Sequence, residues 1–213
     1  RCTPATPITG HTTIMIRPPA LLLASTSPRR REILAALQLE FSVGHVDVDE
    51  TPLVGEAPAD MALRLARAKA EAGIAGAHDL VLAADTVVVV DGRSLGKPVD
   101  EQDCLAMLGA LSGRGHEVLT GVALRGPDGT STALSATDVY FREISRDEAL
   151  AYWQSGEPCD KAGAYAIQGL GGVFVERIEG SYSGVVGLPV FETVALLREA
   201  GLDLVTMWTA HGR

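Results

Sequence analysis

Cysteine is scarce in this chain and poorly placed for pairing or metal binding. Cys2, Cys104 and Cys159 are far apart and form no CxxC pair. An odd, scattered set fits a reducing compartment better than a disulfide framework. The five histidines, His11, His45, His78, His116 and His211, are equally dispersed. No Cys/His cluster has the spacing of zinc ligands. Basic residues are in deficit: 18 Lys and Arg stand against 27 Asp and Glu, for a net charge of -9. That balance argues against broad binding to nucleic acid or to a membrane surface. Long apolar runs are missing as well, and Leu21 to Ala24 is too short to span a bilayer. No internal repeat, low-complexity tract or long linker interrupts the 213 residues.

What is present fits a folded α/β chain. The length suits one domain or two small lobes, and 46% hydrophobic residues can build a sizeable core. The 23 glycines and 11 prolines imply many tight turns. Strand-like runs lie at 20–24, 41–47, 80–90, 116–125, 132–142 and 172–178. Helix-like runs lie at 28–38, 58–75, 100–111, 145–155 and 188–200. In the second helix Met61, Leu65, Ala68 and Ala72 form an apolar stripe, and Gly73 and Gly76 mark its end. Asp91-Gly92 and Pro127-Asp128-Gly129 signal two hairpins. Early βαβα order followed by hairpins predicts a mixed sheet with flanking helices. Residues 1–19 begin with Arg1, lack the apolar core of a signal peptide and are expected to be a poorly structured extension, with Met15 a candidate start. The expected folded domain is 20–200, followed by a tail at 201–213.

Leu21-Leu22-Leu23-Ala24-Ser25-Thr26-Ser27-Pro28-Arg29-Arg30-Arg31 is the most informative stretch. A buried strand runs into a helix, with Ser27 suited to the cap and Pro28 to the first turn. Free amides at a helix start favour an anion, and arginines beside them add planar charged forks. Cations at a helix N-terminus are unfavourable by themselves, so a polyanionic ligand removes a conflict. The plain alternative is a solvated basic turn.

Asp85 and Thr86 interrupt the apolar run Leu80 to Val90. A carboxylate there needs a partner or a cleft. Asp85 suits either an oxygen ligand for a divalent cation or an acceptor of a water proton. Glu50, after Asp47 and Asp49, is a second carboxylate candidate beside the reading of a solvated acidic loop. Lys97 is fixed between Gly96 and Pro98, and Lys69 by itself reads as a solvated helix lysine. The loop Asp160-Lys161-Ala162-Gly163-Ala164-Tyr165-Ala166-Ile167-Gln168-Gly169 is rich in small residues that admit a close ligand. Tyr165 suits packing on a flat ring or in a core, and Gln168 suits a base edge. Gly180 to Pro189 reads as an anion-binding turn or as a plain helix start.

Together these segments resemble the Maf family of nucleoside triphosphate pyrophosphatases. The anchors are Ser25-Thr26-Ser27-Pro28-Arg29-Arg30, Ala84-Asp85-Thr86, Gly96-Lys97-Pro98, the Asp160 to Gly169 loop and Gly187-Leu188-Pro189. Any one is weak, but five in order from Leu21 to about Glu199 are specific. The resemblance implies a two-lobed α/β fold with a long, curved mixed sheet, flanking helices and a central cleft. It implies hydrolysis of a nucleoside triphosphate to the monophosphate and pyrophosphate, assisted by magnesium, manganese or cobalt. Asp85 matches the family's proton acceptor, and Glu50, Lys69 and Lys97 match its catalytic, phosphate- and metal-handling positions. Glu50 and Asp85 are the implied metal ligands. Ser25, Arg29, Arg30, Thr86 and Gln168 match substrate-binding positions. The form of the Gln168 loop is similar to that of the branch acting on dTTP and UTP, which clears the nucleotide pool; the 7-methyl-GTP branch carries a different loop. A cytoplasmic enzyme follows, and a homodimer is compatible with it. The competing class is a nucleotide-gated regulator of septum formation, with hydrolysis secondary. The motif's middle residue, Thr26, is variable among relatives, and Ala166 is often Gly; neither change touches a proposed functional side chain.

Overall fold

A computed structural model describes residues 19–73 and 80–211. Apart from residue 19, the expected extension with Cys2, His11 and Met15 lies outside the described residues, as do residues 74–79 with Gly76 and His78.

The chain begins as a strand–helix–strand unit. Strand β1 (Leu21–Ala24) is wholly buried and leads into helix α1 (Pro28–Ala36). Ser27 caps that helix through its hydroxyl, which accepts from Arg30 N at 3.5 Å, and no acidic residue stands in the first turn. Strand β2 (Ser42–Gly44) follows, then helix α2 (Pro58–Ala72). Its buried stripe is Ala62, Leu65, Ala66 and Ala70. The expected stripe is correct at Leu65 but not at Ala72, which is exposed. Repeated alanines blur the helical period and give little hydrophobic contrast.

Strand β3 (Leu80–Val90) carries the long apolar run and turns at Asp91-Gly92 into a short strand β4 (Arg93–Leu95). Both turn residues have positive φ, 51° and 72°, as a two-residue hairpin turn demands. Helix α3 (Glu101–Leu111), strands β5 (Gly115–Gly126) and β6 (Gly129–Phe141) and helix α4 (Arg146–Gln154) come next. The stretch expected as a strand from 172 is a 3₁₀ turn (Leu170–Phe174), and strand β7 (Val175–Glu179) starts after it. Gly171 and Gly172 sit in that turn and delay the extended conformation. A short helix α5 (Tyr182–Val186), then α6 (Val190–Glu199) and α7 (Leu204–His211), complete the fold.

The sheet runs in the order β2-β1-β3-β5-β6-β7, with β4 paired to β3 off that path. β1 is parallel to β2 and β3, and the other pairs are antiparallel, so the sheet is mixed as expected. Among the described residues no helix is long and apolar enough to cross a membrane.

The apolar core divides along β3. On one face Leu80, Leu82 and Ala84 join a cluster with Leu23, Leu34, Leu124 and Leu197, whereas Val88 and Val90 join another with Leu108, Val139 and Phe141. On the other face Val81 and Ala83 pack with Ala66 and Ala70, and Val87 and Val89 with Ala62 and Leu119. Asp85 and Thr86 fall at the division on their respective faces. The edge of β3 is divided at the same point. β5 pairs with one edge from Val81 to Val89. The other edge pairs with β1 at Leu80 to Leu82 and with β4 at Val88 to Val90. Between those two partners lies an open gap in the sheet, centred on Asp85 and Thr86.

Candidate active site

The gap lies beyond the carboxyl end of β1, where open α/β sheets place their ligands. β1 delivers Ser25 to its rim and α1 delivers Arg30. Arg30 is held on several sides. Its Nε donates to Gly187 O at 2.8 Å, Nη1 to Ser25 Oγ at 3.5 Å and Nη2 to Thr86 Oγ1 at 3.4 Å. Burial lowers its pKa; the Asp85 carboxylate opposes that effect and the neighbouring Arg29 adds to it. Ser25, itself buried, also accepts from Ser27 N at 3.2 Å. Arg30 is therefore built into the fold, whereas Arg31 beside it is exposed. Two of Arg30's bonds go to neutral hydroxyls, and no carboxylate is hydrogen-bonded to it among the described residues. Its charge is available to an anion.

Lys69 comes from α2 and bridges two carboxylates. Its Nζ lies 2.5 Å from Glu50 Oε1 and 2.6 Å from Asp85 Oδ1, and its side chain is only 13% exposed. The two acids are driven in opposite directions. Burial raises Asp85, with Lys69 and Arg30 opposing. The hydrogen bond from Lys69 lowers Glu50, with Lys97 and Arg30 assisting. Paired carboxylates pushed apart in this way can divide the work of proton acceptor and standing negative charge between them. Glu50 lies on the irregular segment after β2, which Arg64 of α2 fixes in place. Arg64 Nη2 donates to Glu56 Oε2 at 2.8 Å and to Thr51 O at 3.3 Å.

Lys97 is exposed on the loop after β4, and its charge reaches Glu50. Gly96 O accepts from Gly163 N at 3.0 Å, which ties this loop to the Asp160–Gly169 segment. On the same segment the hydrogen bond from Lys161 lowers Asp160, with Arg29 assisting. Ser25, Arg30, Glu50, Lys69, Asp85 and Thr86 are thus gathered around one gap, and the charges of Arg29 and Lys97 act on Arg30 and Glu50. Gln168 is exposed, on a loop that Glu157 pins through Leu170 N at 2.9 Å and Gly171 N at 3.0 Å. Tyr165 is a core residue, edge-on to Phe141 at 4.8 Å and with its hydroxyl 2.9 Å from His116 Nε2. Residues Gly180 to Pro189 contribute the Gly187 carbonyl; the hydroxyls of Ser181 and Ser183 accept from Gly184 N and Val190 N.

Sequence reasoning passed over Thr120 of β5. It is wholly buried and touches both Thr86 Oγ1 and Gly184 O. Its polar side chain in the run Val118 to Leu124 was the available signal.

Glu50 and Asp85 already share one cation, Lys69, and their hard oxygens suit a magnesium-type ion. Among the described residues no group of three or more His, Cys, Asp and Glu side chains converges. Two carboxylates fit an ion whose remaining ligands come from phosphates and water.

The match to known proteins runs along the same segments. The model of the family described as Maf-like protein matches residues 20–200. A dTTP/UTP pyrophosphatase of Hahella chejuensis (strain KCTC 2396) is 54% identical over 188 residues, covering 86% of this chain and 94% of the relative. One from Methylococcus capsulatus (strain ATCC 33009 / NCIMB 11132 / Bath) is 53% identical over 184 residues, with 85% and 91% covered. Among solved structures, the Staphylococcus aureus Ham1 protein aligns at a TM-score of 0.39 and 19% identity, over 57% of this chain and 71% of that one. The matched span takes in β1 through α6, and with it every side chain gathered at the gap: the chain belongs to the Maf family.

Proposed function

We propose that this protein is a nucleoside triphosphate pyrophosphatase acting on dTTP and UTP, with a house-cleaning role in the nucleotide pool. The observation that carries the substrate class is identity above one half, along nearly their full length, to relatives named dTTP/UTP pyrophosphatases. The geometry supports the same chemistry. Arg30, Arg29 and Lys97 bind and orient the triphosphate. Asp85, buried and raised in pKa, takes a proton from water. The water oxygen forms a bond to the α-phosphorus as the bond to the bridging β-phosphate oxygen breaks. The nucleoside monophosphate and pyrophosphate leave. Lys69 keeps Asp85 oriented and offsets charge developing on the phosphates, so that catalysis is mainly positioning and electrostatic stabilisation. Glu50 and Asp85 would hold a divalent magnesium, manganese or cobalt ion, which supplies charge neutralisation on the phosphates when bound.

The test is turnover by the purified chain of dTTP, UTP, CTP, GTP and 7-methyl-GTP, with each metal, scored by release of monophosphate and pyrophosphate. Preference for dTTP and UTP is expected. Preference for 7-methyl-GTP, or release of single phosphates, refutes the assignment.

A further inference from the structure

The polar contacts behind Thr86 run in one direction. Arg30 Nη2 donates to Thr86 Oγ1 at 3.4 Å, Thr86 Oγ1 lies 3.0 Å from Thr120 Oγ1, and Thr120 Oγ1 donates to Gly184 O at 2.8 Å. A guanidinium has no lone pair to offer, and a carbonyl has no proton. Each threonine hydroxyl has one proton. With the Thr120 proton committed to Gly184, the bond between the threonines forms only with Thr86 as donor. The two ends of the chain impose the same polarity. Thr120 is wholly buried, so water does not relieve the constraint. Thr86 is half-buried at the gap. With its proton turned inward, it shows the cleft only a lone pair.

We propose that Thr120 is a specificity-determining positioning residue that makes Thr86 an acceptor-only group and so selects a pyrimidine with an imide N–H, uracil or thymine, over cytosine. The inference rests on the pyrophosphatase reading above. N3 of uracil and thymine carries a hydrogen, whereas N3 of cytosine carries a lone pair. Against cytosine, Thr86 would set lone pair against lone pair. A desolvated site built for one hydrogen-bonding edge rejects the analogue that lacks it. Phosphate oxygens are acceptors too, so Thr86 is unsuited to the triphosphate even though it adjoins Arg30. Base selection thus gains, beside Gln168, a hydroxyl fixed inside the sheet.

UTP and CTP share sugar and phosphates, so their kcat/KM ratio isolates the base edge. Thr120→Val keeps the shape of the side chain and removes the relay. The Thr86 proton is then free to turn outward and meet N3 of cytosine. Wild-type protein is expected to prefer UTP. In Thr120→Val the preference should fall at least tenfold, mainly through better use of CTP, and Thr120→Ser should restore it. Should Thr120→Val not accumulate as folded protein, Thr120→Cys, a weaker donor of similar shape, is read on the same ratio. An unchanged ratio, or an equal loss on both nucleotides, overturns the inference, as does a wild type indifferent between UTP and CTP. Wild-type protein inactive on both UTP and dTTP overturns the activity assignment and this inference with it.

Discussion

Asp85 is 8% exposed, has a raised pKa and meets the Lys69 ammonium at 2.6 Å. Asp85→Asn keeps the shape and removes both basicity and charge. It should slow turnover on the order of a hundredfold or more, the usual contribution of a general base. Near-normal turnover by the folded variant would exclude Asp85 from the mechanism. Arg30→Ala and Lys97→Ala should each lower kcat/KM for dTTP roughly tenfold or more while leaving measurable binding, because each loses one charge-assisted contact of about 1.5–3 kcal/mol. Wild-type kinetics in both, at low and high salt, would remove the phosphate site. Asp85 was conspicuous as a single charge in a run of valines and alanines. Lys69 was not. Its local sequence is that of any solvated helical lysine, and its role comes from two carboxylates 19 and 16 residues away in the chain. Gly187 was legible as part of an anchor motif but not as the acceptor for Arg30, since it acts through a main-chain carbonyl that every residue possesses.

At the level of elements, the spacing of α2 from the sheet governs the site. Gly121 of β5 lies opposite Asp85 in register. A Cβ at Gly121 would stand 2.4 Å from Ala62 O of α2, in the backbone of the helix that carries Lys69. Gly121→Ala is therefore expected to cost about 1–3 kcal/mol of stability by overpacking. It should also slow turnover, because displacing α2 moves Lys69 from Asp85. Urea unfolding and steady-state rates check both, and wild-type values for both would show that the helix does not need this close approach. The major elements could be read from hydrophobic period and turn chemistry. α5 and α7 could not, and β4 was signalled only as the return strand of the Asp91-Gly92 hairpin. β4 has three residues and α5 has five, too few for a period, and their form depends on neighbours. α7 follows a positive-φ Gly201, and its first residue, Leu204, is buried with Leu202 in the core cluster around β1 and α6. That support is tertiary. The gap itself was invisible, because it is set by where β1 and β4 stop along one edge of β3.

For the molecule as a whole, one buried ring links stability to pH. His116 is 5% exposed, and burial, with Arg114 assisting, lowers its pKa to about 4. The unfolded chain, with an ordinary value of 6.5, binds more protons between those limits. Stability from this group is present above pH 6.5 and is lost as pH falls towards 4, on the order of 3 kcal/mol in total. His116→Gln keeps a partner for Tyr165 and cannot titrate, so its unfolding free energy should be flatter across that window. An unaltered slope would assign the acid response to other groups. A last consequence concerns synthesis. The bond from Arg30 Nε to Gly187 O joins residues 157 apart. Arg30 is made early, and its anchor is among the last parts of the matched domain to leave the ribosome. Until then the nascent chain can carry strand, helix and arginine, and the bonds to Ser25 and Thr86, yet not the anchor on Nε. The Arg30 side of the gap is thus completed only when nearly the whole domain has been made.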